Sequence, residues 1–188
     1  MFNLALNEHL ACFRSLTQLT EEISNAGKML SRTIEDGKKI LICGNGGSAS
    51  DAQHFAAEIV GRFAQERIAW PAIALNTDTS IITAIANDYH YRNVFSRQVE
   101  ALGFSGDTLI GISTSGQSEN VILAAIQARK KGLQTIALSG DKGGKLITHA
   151  DISVIIPSDI TARIQEAHIF ILHFWAEMIE STLIHKKK

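Results

Sequence analysis

The sequence predicts an α/β domain: a five-stranded, mostly parallel sheet held between layers of helix, three layers in all. Three observations predict it. Five short apolar runs are spaced along the chain, stretches of helical period lie between them, and two of the runs end in loops rich in glycine or serine. Runs this short with turn residues after them suit buried strands, and strands alternating with helices suit parallel crossover units.

The elements follow in order. From about Leu4 to Asp36 the apolar residues Leu16, Leu19, Ile23, Met29, Leu30 and Ile34 recur near helical spacing, and Gly37 is the expected stop. Lys39 to Cys43 is the first strand. Further strands are expected at Ala72 to Leu75, Leu109 to Ile112, Thr135 to Leu138 and Ile152 to Ile156. Helices are expected at about Ser50 to Phe63, Ser80 to Ile85, Val94 to Leu102 and Asn120 to Lys130. A long amphipathic helix from about Ile160 to His185 closes the chain, and Lys186 to Lys188 read as its solvated tail.

A length of 188 residues suits one domain spanning 1–188. It divides into an N-terminal helical segment (about 1–36), an α/β core (about 37–158) and the C-terminal helix (about 160–185). Apolar residues make up 45% and charged residues 20%, and the net charge is -1, which gives no electrostatic reason to expect nucleic acid or an acidic membrane as partner. No run approaches the roughly 18 uninterrupted apolar residues of a membrane span. The first ten residues include Asn3, Asn7, Glu8 and His9 and do not read as a secretory leader. Cys12 and Cys43 are too few for a disulfide framework and lack metal-ligand spacing. The expected compartment is a reducing cytoplasm.

In open parallel sheets, ligands sit in the loops that follow the carboxyl ends of strands. The first strand ends in Gly44-Asn45-Gly46-Gly47-Ser48. Its glycines let backbone approach a ligand closely, and the next helix start offers N–H groups to an anion. A tight turn used only for packing would read the same way. The third strand ends in Gly111-Ile112-Ser113-Thr114-Ser115-Gly116-Gln117-Ser118. Four hydroxyls within six residues, beside a helix start, supply the converging short donors that a phosphate needs. The loop has no lysine and no GxxxxGK[ST] pattern, so a nucleotide P-loop is not indicated. A serine helix cap would explain Ser118 but not the other three hydroxyls.

His54 and Glu58 lie four residues apart, on one face of the helix after the glycine loop. Far along the chain come Arg163-Ile164-Gln165-Glu166-Ala167-His168 and then His173. His54, Glu58 and His173 are zinc-type ligands, and a carboxylate with an imidazole also suits proton transfer near neutral pH. From spacing alone the competing reading stands: a solvated helix face for the first pair and a core histidine for His173.

Taken together, these blocks are familiar. Cys43-Gly44-Asn45-Gly46-Gly47-Ser48 with Asp51 to Glu58, Ala86-Asn87-Asp88-Tyr89, Gly111 to Gly116, and Arg163-Ile164-Gln165-Glu166 resemble, in order and over nearly the whole chain, the phosphoheptose isomerases of the sugar isomerase (SIS) superfamily. The resemblance implies an SIS-type fold, a homotetramer with sites at subunit interfaces, and conversion of sedoheptulose 7-phosphate to D-glycero-D-manno-heptose 7-phosphate through an enediolate. It implies that Ser113, Thr114, Ser115 and Ser118 hold the phosphate, and that Asn45, Gly46, Gly47, Ser48, Asn87, Asp88 and Gln165 line the sugar. His54, Glu58, Gln165 and His173 would contact one Zn2+ per subunit, with Glu58 and His173 as the acid–base pair. Some relatives carry an acidic residue where this chain has Ala162, so a sugar contact there is lost or passes to Thr161. The alternatives are a non-catalytic SIS protein that binds a replication initiator, and an isomerase of another phosphosugar.

One geometric expectation comes from spacing. Gln165 and His173 are eight residues apart, a rise of about 12 Å on a straight helix. Both reach one ion only through extended side chains, an irregular helix, or contributions from two subunits.

Overall fold

A computed structural model describes residues 1–185; the Lys186 to Lys188 tail lies outside the described residues. Five strands form one all-parallel sheet in the order β2-β1-β3-β4-β5: β1 (Ile40–Cys43), β2 (Ala72–Ala74), β3 (Thr108–Ser113), β4 (Gln134–Gly140) and β5 (Ile152–Ile156). The central strands β1 and β3 are buried along their whole length, as expected of a parallel sheet covered on both faces.

Side chains alternate across the sheet. Ile40 and Ile42 join one core, while Leu41 and Cys43 join the other. The first core is closed by α1 (Phe2–Ser15), α2 (Thr20–Glu35), α3 (Gly47–Val60) and α7 (Thr161–His185). The second is closed by α4 (Thr79–Asp88), α5 (Val94–Leu102) and α6 (Glu119–Lys130). Trp175 is fully buried in the first core, and its indole donates to the Ile23 carbonyl at 2.9 Å, locking α7 against α2.

The N-terminal helix departs from expectation. It breaks at a 3₁₀ segment, Leu16–Leu19. The cause is local: the hydroxyls of Ser15, Thr17 and Thr20 donate to the carbonyls of Cys12, Arg14 and Thr17 at 2.6, 2.9 and 2.8 Å. Three such bonds in a row tighten the turn and re-aim the chain. The end of α2 is as expected. Gly37 has φ +68° and donates to Ile34 while Lys38 donates to Thr33, the paired bonds of a Schellman stop.

His168 is buried between α7 and β4, where its Nε2 lies 3.2 Å from the Ser139 carbonyl. Burial pushes its pKa down to about 4, with the Ser139 contact acting weakly the other way. Below its ordinary value of 6.5 the unfolded chain takes up a proton that the native state refuses until about pH 4. Stability from this residue is therefore full above pH 6.5 and falls as pH drops toward 4, by about 3 kcal/mol in all. Urea unfolding at pH 7 and pH 5 is expected to show this slope, and His168→Gln is expected to flatten it.

Candidate active site

Chain direction changes at the centre of the sheet. From β1 the chain steps outward to β2, then crosses back to β3 on the other side of β1. At such a switch point the loops after two adjacent strands part and leave a crevice. Here those loops are the glycine loop after β1 and the hydroxyl loop after β3.

The two loops are joined by side chains. Asn45 Nδ2 donates to Asn120 Oδ1 at 2.9 Å, and Asn120 Nδ2 donates back to Asn45 Oδ1 at 2.8 Å. The Tyr91 hydroxyl donates to the same Asn45 oxygen at 3.1 Å. Asn87 and Asp88 end α4 just before Tyr91; both are exposed, and Asn87 donates to Asp88 at 2.8 Å. Ser48 is buried in the first turn of α3.

Within the hydroxyl loop, Ser113 and Ser118 share a hydrogen bond at 2.9 Å. Ser118 stands at the N-cap of α6, yet its side chain does not cap the helix. Its hydroxyl belongs to the loop interior, which the bland capping reading did not anticipate. Ser115 is exposed and Thr114 half-buried. Thr114 and Ser115 line a cavity of about 160 Å³ whose far wall holds Asp141, Asp159 and Thr161. Thr161 therefore faces the hydroxyl loop, while Ala162 is exposed.

His54, Glu58 and His173 come together farther along α3. His54 Nε2 lies 3.0 Å from Glu58 Oε1 and 3.2 Å from His173 Nε2. One ligand atom from each of the three residues falls within 4.8 Å of the others. Two imidazole nitrogens and a carboxylate oxygen this close together fit the donor types and compactness of a zinc site. The Phe63 ring packs against His173 with centroids 5.7 Å apart. One turn before His54, burial raises the Asp51 carboxyl to about 6, and His54 draws it partly back.

Gln165 does not join this cluster within the chain. Its amide lies against Gly47, where an added Cβ would meet Gln165 Nε2 at 2.5 Å. Gly47 and His54 are seven residues apart on α3, a rise of about 10 Å. The two helices thus run side by side, with Gln165 beside the glycine loop and His173 beside His54. Sequence reasoning also missed Asn120 and Tyr91, which set the position of Asn45. Nothing in the local sequence marks them, because their partner is 75 or 46 residues away.

Comparison with known proteins agrees with the fold. The SIS domain model matches residues 6–140. A phosphoheptose isomerase from Helicobacter pylori (strain P12) is 54% identical over 92% of this chain and 90% of its own. The structure of phosphoheptose isomerase GmhA from Neisseria gonorrhoeae superposes with a TM-score of 0.91 at 43% identity, covering 96% of this chain and 97% of that one. A phosphoheptose isomerase from Francisella tularensis gives a TM-score of 0.88 at 36% identity, covering 96% and 99%. With a switch-point crevice, a hydroxyl loop and a His-Glu-His cluster in place, this chain belongs to the phosphoheptose isomerase family of SIS-domain proteins.

Proposed function

We propose that this isomerase converts sedoheptulose 7-phosphate to D-glycero-D-manno-heptose 7-phosphate, the entry reaction to heptose precursors of bacterial surface glycans. The observation that carries the reading is the convergence of His54, Glu58 and His173 in a chain whose hydroxyl loop suits a phosphate.

The chemistry follows from the residues. Ser113, Thr114, Ser115 and Ser118 donate to the phosphate, with the first N–H groups of α6 behind them. Asn45, Gly46, Gly47, Asn87 and Asp88 border the sugar. Glu58 takes a proton from C1 of the ketose, which gives a 1,2-enediolate, and returns it to C2. His173 gives a proton to O2 and takes one from O1, so the C2 carbonyl becomes a hydroxyl and C1 becomes the aldehyde. His54, Glu58 and His173 would hold a zinc ion, which when bound supplies Lewis acidity for charge on the reacting oxygens.

In this reading the chain works as a homotetramer, with each site completed by a second copy. Two features support it. The cluster lies well along α3 from the glycine loop, and apolar Phe2, Leu10, Ile81, Phe170 and Phe174 stand exposed on α1, α4 and α7. The compartment is the cytoplasm, where buried Cys12 and Cys43 stay reduced. Among the described residues no helix is long and apolar enough to cross a membrane.

The test is direct. Purified protein loaded with zinc is given sedoheptulose 7-phosphate, and the aldose is followed with time. Turnover that chelation removes and zinc restores supports the reading; a folded, zinc-loaded protein without turnover overturns it. Ser115→Ala is expected to raise KM roughly tenfold, as loss of one charge-assisted donor should, while kcat stays within about threefold.

A further inference from the structure

Glu180 has no place in the chemistry above, yet it is among the most deeply buried charged groups of the chain, 1% exposed. It lies two turns beyond His173 on the same side of α7. Its carboxylate accepts the backbone N–H of Phe63 at 2.8 Å, of Ala64 at 3.0 Å and of Gln65 at 2.9 Å. Arg67 Nε donates to it as well, at 3.1 Å, and both side chains are nearly fully enclosed. Burial alone would raise the pKa of this acid; the three backbone donors and Arg67 outweigh burial and hold it below the usual carboxylate range. All four bonds converge on one short segment, the turn that follows α3.

That turn reaches the acid–base cluster from two directions. Arg67 Nη2 donates to the backbone carbonyl of Glu58 at 2.7 Å, and Nη1 donates to the carbonyls of Gly61 and Ile68 at 3.2 and 3.0 Å. The guanidinium is stacked on Trp70, 3.9 Å from the ring centroid. The last turn of α3, which carries Glu58, is thereby tied to α7, which carries His173. Phe63, whose N–H is gripped by Glu180, holds its ring beside the His173 imidazole, tilted by 34° with centroids 5.7 Å apart. A buried ion pair is weak evidence for stability in itself. One that spends its donors on the backbone beside two reacting groups has a second use.

We propose that Glu180, acting through Arg67 and the 61–67 turn, is a positioning residue that fixes Glu58 and His173 relative to each other. It touches no substrate; it sets the distance and angle between the carbon base and the oxygen acid. Misplacement of such groups by about 1 Å can cost on the order of a hundredfold in rate. None of the hydroxyl-loop residues Ser113, Thr114, Ser115 and Ser118 is among the partners of Glu180 or Arg67.

The inference rests on the isomerase reading, so its test has one arm that needs no turnover. In Glu180→Gln the amide nitrogen must face N–H donors, and the clamp loosens while side-chain volume is kept. The expected results are a kcat lower by at least about tenfold and a KM within about twofold of the parent. In protein labelled at histidine, the His173 imidazole resonance should also move as Phe63 shifts away from it. Arg67→Lys keeps a cation but loses the forked bonds to Glu58 and Gly61, and should show the same pattern more weakly; it carries the test if Glu180→Gln does not fold. Folded variants with the parent's kcat and an unmoved His173 resonance overturn the proposal, as does a KM that rises in step with the fall in kcat. If the parent itself does not turn over the ketose, the functional reading fails, and the resonance alone decides whether Glu180 positions His173.

Discussion

Glu58→Gln is expected to lower kcat by roughly 10²–10⁴-fold, the range over which a placed general base acts. The substitution keeps the shape of the side chain and removes its basicity. Folding should survive, because the Glu58 side chain is 21% exposed and its hydrogen bond is to His54, itself a surface residue. The backbone carbonyl of Glu58, which receives Arg67, is untouched by the change. Two measurements separate loss of the base from loss of the metal. Zinc content by mass spectrometry reports binding, and exchange of the C1 hydrogen of the ketose in heavy water reports proton abstraction. Because Glu58 is also a proposed zinc ligand, variant and parent are compared at matched zinc content, where the variant is expected to show no exchange above background. A variant that exchanged and turned over at the parent rate would remove Glu58 from the role assigned to it.

Gly116→Ala is expected to have the second large effect, on the other half of the site. Gly116 has φ +62°, and an added Cβ would lie 1.8 Å from the Gly143 carbonyl oxygen and 2.4 Å from its carbon. The obstacle is backbone, so no rotamer change relieves it. One of the two touching loops must move, and Leu146 N, which donates to Gly116 O at 3.0 Å, must move with it. A cost of about 2–4 kcal/mol is expected from strain and displacement together. Because the displaced segment carries Ser113, Thr114, Ser115 and Ser118, KM for the phosphosugar should rise more than tenfold. Gly37→Ala is the control. Its φ is +68°, but nothing lies within 4 Å of an added Cβ, so it should cost only about 1 kcal/mol and leave KM alone. Equal losses in the two variants would show that backbone conformation, not the contact between loops, sets the need for glycine.

The fold was legible because each strand announces itself. Ile40 to Cys43 is an uninterrupted apolar run before glycines, and Thr108 to Ser113 ends in hydroxyls where the sheet ends. Local signals of this kind survive folding because burial on both faces leaves few other uses for such segments. The break at Leu16–Leu19 was hidden because its cause, three hydroxyls bonding back to nearby carbonyls, competes with helix on nearly equal terms. His54 and Glu58 could be paired by their spacing, while His173 joined them by ligand type, with a core histidine as the competing reading, and then by the family resemblance. No spacing rule reaches Glu180 and the Phe63 N–H, which are 117 residues apart. The Asn45–Asn120 pair is hidden for the same reason. A glycine's neighbour, such as Gly143 against Gly116, leaves no side chain for a sequence pattern to register.

The sheet has a consequence beyond architecture. His54, Glu58 and His173 ride on α3 and α7, which rest on one core, whereas Ser118 and α6 rest on the other. The two layers meet at the carboxyl end of the sheet, where Thr114 and Ser115 share a cavity with Thr161 and Ile164 of α7. A shift of α7 is therefore felt at both places, by the hydroxyl loop through Thr161 and Ile164 and by His54 through His173.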